Sequence, residues 1–122
     1  MIGLFDFFST QKGNLSNKRI VKRTLTLSNN SAIPAINTDL YDVVHIIAQT
    51  AAITSFTTNL TGTPQDGDTL RISVTGTGAV ALTFGSSFEP GAVALSTTTT
   101  GTTRLDMGFF WNTETSKWRQ MA

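Results

Sequence analysis

From residue 20 onward the chain alternates between apolar and polar side chains. Val21, Leu25 and Leu27 face one way and Lys22, Thr24 and Thr26 the other, with Arg23 a misfit on the apolar side. That period of two predicts a strand over residues 20–27. Ser28-Asn29-Asn30-Ser31 is a turn cluster, and Pro34 argues against a long strand beyond it. Over residues 41–49, Val43 and Ile47 flank His45 on one face while Val44, Ile46 and Ala48 line the other. Two apolar faces predict a central strand. A helix over residues 39–52 competes, but Val-Val-His-Ile-Ile is β-branched almost throughout and favours the strand. Residues 52–58 read as another short strand, and residues 61–68 are dense with turn formers. Leu70, Ile72 and Val74 alternate with polar neighbours. Gly76-Thr77-Gly78 then leads to Val80, Leu82 and Phe84, which predicts a hairpin. Residues 85–91 read as loop and residues 97–103 as an exposed strand edge. Residues 104–111 and 117–121 make a closing hairpin around residues 112–116. Seven or eight short strands, spaced by about 8–12 residues, predict an all-β fold: a single jelly-roll-like antiparallel β-sandwich.

Composition sharpens this picture. The 122 residues suit one domain. Threonine accounts for 22 of them, and threonine favours strands. Charged residues make up 14%, against about 25% in average soluble domains. With no cysteine there is no disulfide frame and no thiolate metal site. No stretch reaches the ~18 apolar residues of a membrane helix. The apolar start, Met1 to Phe8, has no basic flank and ends too soon for a secretory leader, so none is expected.

Charge divides the chain. Residues 1–23 carry Lys12, Lys18, Arg19, Lys22 and Arg23 against Asp6, a surplus of +4, while residues 24–122 sum to −3. Leu4, Phe5, Phe7 and Phe8, with Ile2, form an apolar cluster at the chain end. Each such side chain gives roughly 1.5–3 kcal/mol when fully buried, so the cluster needs a place to go. Residues 9–19 read as a polar linker. The division is therefore an N-terminal arm, residues 1–23, and a β-domain, residues 24–122. The arm is expected to attach to a partner through Leu4, Phe5, Phe7, Phe8, Lys18, Arg19, Lys22 and Arg23. The plainer reading is a frayed terminus with solvated lysines. Those cations have no aromatic stacking platform nearby, so nucleic acid is not expected, and neither is a membrane.

Candidate chemistry is sparse. His45 is the only histidine, and its apolar strand suits a hydrogen-bonded structural role better than a general base. Asp66 and Asp68 flank Gly67. They could approach a cation, but they lack the further acidic residues of a calcium loop, and a backbone-bonded turn fits them better. Gly76-Thr77-Gly78 opens no helix and so is no phosphate cradle. Three Asn-X-Ser/Thr triplets, at Asn14, Asn29 and Asn59, are chance matches in a chain this rich in those residues. Phe109, Trp111 and Trp118 crowd the closing hairpin. On a β-surface such aromatics stack on sugar rings or form an interface; otherwise they fill the core. The expectation is no catalysis, no metal and no cofactor. A glycan-depolymerase reading lacks a persuasive carboxylate pair.

The order of motifs resembles a β-domain common in tailed-phage structural proteins. The resemblance rests on Asp42 to Thr54, then Gly62-Thr63-Pro64-Gln65-Asp66-Gly67-Asp68-Thr69-Leu70-Arg71-Ile72. It continues through Leu82 to Phe88, the run Thr97 to Thr100, Gly108-Phe109-Phe110-Trp111-Asn112 and Lys117-Trp118. It covers about residues 40–120 and implies a virion surface component with no catalytic residues. The expected protein is a homotrimeric capsid decoration or head-fibre protein, held on the virion by its arm against the major capsid protein or another virion protein. The alternative is a tail-fibre or adhesin tip that binds a host-surface glycan or receptor.

Overall fold

A computed structural model describes residues 21–121. The strands are β1 (Thr24–Leu27), β2 (Ile36–Asn37), β3 (Val43–Gln49), β4 (Leu60–Thr61), β5 (Thr69–Gly76), β6 (Phe88–Glu89), β7 (Leu105–Asn112) and β8 (Lys117–Gln120). The described residues form no helix, so the fold is all-β. Six strands make one sheet in the order β1-β3-β5-β7-β8-β6, and β2 and β4 make a second.

The sheet is mixed rather than antiparallel throughout. β1, β3 and β5 lie side by side in parallel, with Thr24 opposite Val43 and Val43 opposite Arg71. β2 and β4 are also parallel, with Ile36 opposite Leu60. From β1 to β5 the chain therefore climbs as a coil, laying alternate strands on the two sheets. Parallel neighbours need long crossovers. Here the crossovers carry Pro34, Gly62 and Pro64, which suit short extended pieces and not a helix. Between the strands, antiparallel pairing begins where β7 adds to β5 and β8 to β7, and β6 runs parallel to β8.

The closing hairpin is β7 and β8, as their alternation predicts. The hairpin expected after β5 does not form, because both sides of β5 are taken by β3 and β7. Leu82 instead lies parallel to Ile53, and Ala81 antiparallel to Thr98. Gly76 turns a corner of the coil. A Cβ there would strike the Gly78 carbonyl and the Val80 side chain, and the Thr77 N–H donates back to the Gln49 carbonyl at 3.0 Å. Residues 52–58 give only the bridge at Ile53, and residues 97–103 are not simply an exposed edge. Thr99 is buried there, and its Oγ1 accepts from the Val80 N–H at 2.8 Å.

Inward positions of both sheets build one core. Ile36, Val44, Ile46, Ile72 and Val74 surround a ring cluster of Phe56, Phe84, Phe88 and Phe109. Phe56 stacks on Phe84 at 4.8 Å between centroids, and Phe88 meets Phe109 edge-on at 5.1 Å. β3 is central by its lateral position, not by coverage of both faces. Its outward side chains Val43 and His45 are half-buried and Ile47 is exposed. A bulge after Ile46 carries Ala48 at φ 52°, and buried Gln49 holds it by donating to the carbonyls of Ser31 and Ala51, both at 2.9 Å.

Candidate functional site

Of the expected attachment residues, Leu4, Phe5, Phe7, Phe8, Lys18 and Arg19 lie outside the described residues. Lys22 is exposed. Arg23 is tied to the body. Its Nη2 meets Asp42 Oδ1 at 2.7 Å, its Nε donates to Oδ2 at 3.0 Å, and its Nη1 donates to the Asp39 carbonyl at 2.6 Å. In return the Arg23 carbonyl accepts from the N–H groups of Asp42 and Val43. The hydrogen bond to Arg23 holds the Asp42 carboxyl below its ordinary range, and the same bond raises the Arg23 guanidinium. The misfit in the first alternation is thus a clamp between adjacent coil turns, and its charge is answered within the domain.

The closing-hairpin aromatics divide. Phe109 and Trp118 are core residues, 0% and 2% exposed, so neither can present a face to a sugar or a partner. Their alternation explains it: β7 turns Met107 and Phe109 inward, and β8 turns Trp118 and Gln120 inward. Trp111 is half-buried and packs edge-on against Trp118 at 5.4 Å. Phe110, the outward neighbour of Phe109, is not among the site residues the sequence singles out. It floors an open shelf of about 520 Å³ with Asp66, Asn112, Thr113, Glu114 and Arg119. The signal was its phase, one residue out of step with buried Phe109.

The His45 Nδ1 and the Ser73 Oγ are 2.7 Å apart across β3 and β5. The outward row continues through Thr26 on one side and Asp106 on the other. Asp106 is engaged by Arg104 at 3.0 Å, and Ser73 is 1% exposed, so the hydroxyl has no approach for a substrate. The pair acts as a cross-strand hydrogen bond. Asp66 accepts from the Thr113 N–H and Asp68 from the Gln65 N–H, with Gly67 at φ 83° between them. Both carboxylates therefore fasten the turn, which pairs with Trp111 through two backbone hydrogen bonds. Among the described residues no three His, Cys, Asp or Glu side chains group as metal ligands.

Two further depressions concern surfaces rather than chemistry. One, of about 270 Å³, lies on the outer sheet face over Gly108, between Lys22, Val43, Arg71 and Met121. The other, of about 440 Å³, opens at the first coil turn. Its walls are mainly apolar: Leu25, Leu27, Ala35, Ile36 and Tyr41. Among the described residues β1 ends its sheet, and β2 pairs only with β4. This end of the coil therefore shows unpaired strand edges and the flank of the core together.

The chain matches no family model, no curated protein and no solved structure.

Proposed function

We propose that the protein is a non-enzymatic structural component of a tailed-phage virion. It assembles as a homotrimer on the particle surface, as a capsid decoration or head-fibre protein, and its first 23 residues hold it to the major capsid protein or another virion protein. The observation that carries this reading is the uneven finish of the coil. One end is covered by β7, β8 and β6, while among the described residues the other presents unpaired edges and an apolar groove beside β1. Exposed strand edges favour association with further chain, and closed symmetry is the usual form it takes. The motif order supports the virion context. The apolar cluster Leu4, Phe5, Phe7 and Phe8 supplies anchors. Lys18, Arg19 and Lys22 supply attraction to an acidic shell, and Arg23 adds less because Asp42 already answers its charge. The test is binding to particles stripped of this protein. The full chain should decorate them and a chain lacking residues 1–19 should not; equal binding by the two removes the arm from the reading.

The shelf over Phe110 favours a second reading, a fibre tip that binds a host-surface glycan. An aromatic face beside carboxylates, an amide and a guanidinium is the chemistry sugars require. Phe110→Ala would abolish glycan binding under this reading and leave virion attachment untouched.

A further inference from the structure

Gly108 lies in the middle of β7, an interior strand whose two edges are taken by β5 and β8. Glycine weakens such a strand, and there it commonly marks a bulge, a tight bend or a close approach to the backbone. The pairing with β5 runs unbroken from Met107 through Gly108 to Phe109, opposite Ile72, Arg71 and Leu70, so there is no bulge. Nor is Gly108 among the glycines with positive φ. What the missing side chain leaves is the depression of about 270 Å³ on the outer face. Its surroundings follow from the register. Val43, Arg71 and Gly108 stand in one row across β3, β5 and β7, and Met121, whose N–H donates to the Gly108 carbonyl at 2.8 Å, extends that row. The Met121 methyl group hangs over Gly108, 3.1 Å from where a Cβ would stand, and Lys22 closes the rim. The depression thus joins an apolar wall, Val43 and Met121, to two cations. Among the described residues neither Lys22 nor Arg71 has a carboxylate within ion-pair distance, and Asp42, at the same rim, is already held by Arg23 on both oxygens.

Phe110 is two residues along the same strand and faces the same way, about 7 Å from Gly108. The Phe110 shelf and the Gly108 depression are therefore neighbours on one sheet face. Charge is uneven across them. Asp66 and Glu114 stand at the end of the shelf beside the closing turn, and Lys22 and Arg71 stand at the depression. A polyanion laid along this face meets both signs. A ligand that is neutral and hydroxylated over Phe110, with a single negative charge over Gly108, meets each where it fits. A peptide is disfavoured, because an interior strand offers it no free backbone edge to pair with. We propose that this face binds an acidic oligosaccharide, with a neutral ring on Phe110 and an adjoining carboxylated sugar seated over Gly108, its carboxylate on Arg71 and Lys22. The planar Arg71 guanidinium suits a carboxylate, and Val43 and Met121 give apolar contact to the C–H face of the ring. The proposal rests on the glycan reading of the shelf and adds the charge class of the sugar and a second subsite.

The test is calorimetric titration of the full chain with tetrasaccharides that contain glucuronic, galacturonic or N-acetylneuraminic acid, each beside its counterpart with the carboxyl reduced to the alcohol. At least one acidic form should bind, and reduction should weaken that binding by about fivefold or more. Arg71→Gln should cause a similar loss for the acidic form and leave the reduced form unchanged. Phe110→Ala should weaken both forms by the same factor. Gly108→Val fills the depression with a residue that suits a strand, and its Cβ meets only the flexible end of Met121. It should weaken the acidic form as Arg71→Gln does, with an unchanged thermal midpoint showing that the fold is kept; exposed Arg71 carries the test alone if that midpoint falls. Equal binding of acidic and reduced forms, lost on Phe110→Ala, overturns the proposal and leaves the glycan reading standing. No binding of any of these sugars overturns both. An acid preference that survives Arg71→Gln overturns the site, and tighter binding of a decathymidylate than of any acidic sugar overturns the proposal in favour of single-stranded nucleic acid.

Discussion

Arg23 and Asp42, immediately ahead of β1 and β3, face each other as a two-pronged ion pair. Arg23 ends the N-terminal segment, and Asp42 leads directly into the central strand. The pair therefore ties the entry of β1 to the entry of β3.

That pair sets an acid limit. Asp42 titrates below its ordinary value of 3.8 in the folded protein because Arg23 bonds its charged form. A lowered carboxyl pKa contributes stability above the unfolded value, and this is lost as pH falls through the folded one. The loss should therefore develop below pH 3.8. Asp42→Asn should lower the urea midpoint at pH 7 and narrow its difference from the midpoint at pH 3. An undiminished difference would show that other carboxylates carry the acid response.

Burial of Phe109 predicts a large effect at one position and a small one beside it. Phe109 is fully buried among Phe84 and Phe88, so Phe109→Ala should cost about 3–5 kcal/mol. Phe110→Ala, on the outward face, should cost far less. Equilibrium denaturation of both variants checks the inward and outward phase of β7.

His45→Ala should lower stability by roughly 1–3 kcal/mol, because it strands the buried Ser73 hydroxyl. Ser73→Ala in the same chain should recover part of that loss. A double-mutant cycle showing no coupling would mean that the two groups contribute separately.

Gly62 sits at φ 124°, and a Cβ there would strike the Thr38 side chain. Gly62→Ala should therefore destabilise by more than about 1 kcal/mol. Gly78→Ala, with open space at the Cβ, should cost less. Thermal unfolding of the two variants makes the comparison.

Assembly is checked by mass. Sedimentation equilibrium at micromolar concentration should give three times the chain mass of 13.1 kDa. A single-chain mass from folded protein would remove the trimer from the functional reading.

Local alternation located most strands and their phase. Leu25 and Leu27, Val44 and Ile46, Ile72 and Val74 point as their period of two requires. The closing hairpin was legible because its two halves and its turn are adjacent in sequence. Partner choice was not legible. Alternation states which side chains share a face, not which strand lies alongside, so the neighbours of β5 were misassigned to residues 80–84. The roles of Arg23 and Gln49 were hidden for a related reason. Each serves a group far along the chain or a bulge, and neither leaves a mark on hydrophobic periodicity. Among the aromatics, the phase that buries Phe109 and Trp118 is present in the pattern, and the same phase turns Phe110 outward.

The coil also governs how fast the chain finds its fold. β7 and β8 meet through a short turn, so that hairpin can close early. Every other pairing in the main sheet must bring together segments at least a full turn apart, as Arg23 with Asp42 and His45 with Ser73 illustrate. Loops of that length must be closed before the parallel strands return any energy, and such topologies fold in milliseconds to seconds rather than microseconds. Until β3 is flanked on both sides, its run Val43-Val44-His45-Ile46-Ile47 is an uncovered aggregation-prone strand. The yield of soluble protein should therefore depend on synthesis rate and temperature more than the stability of the finished fold would suggest.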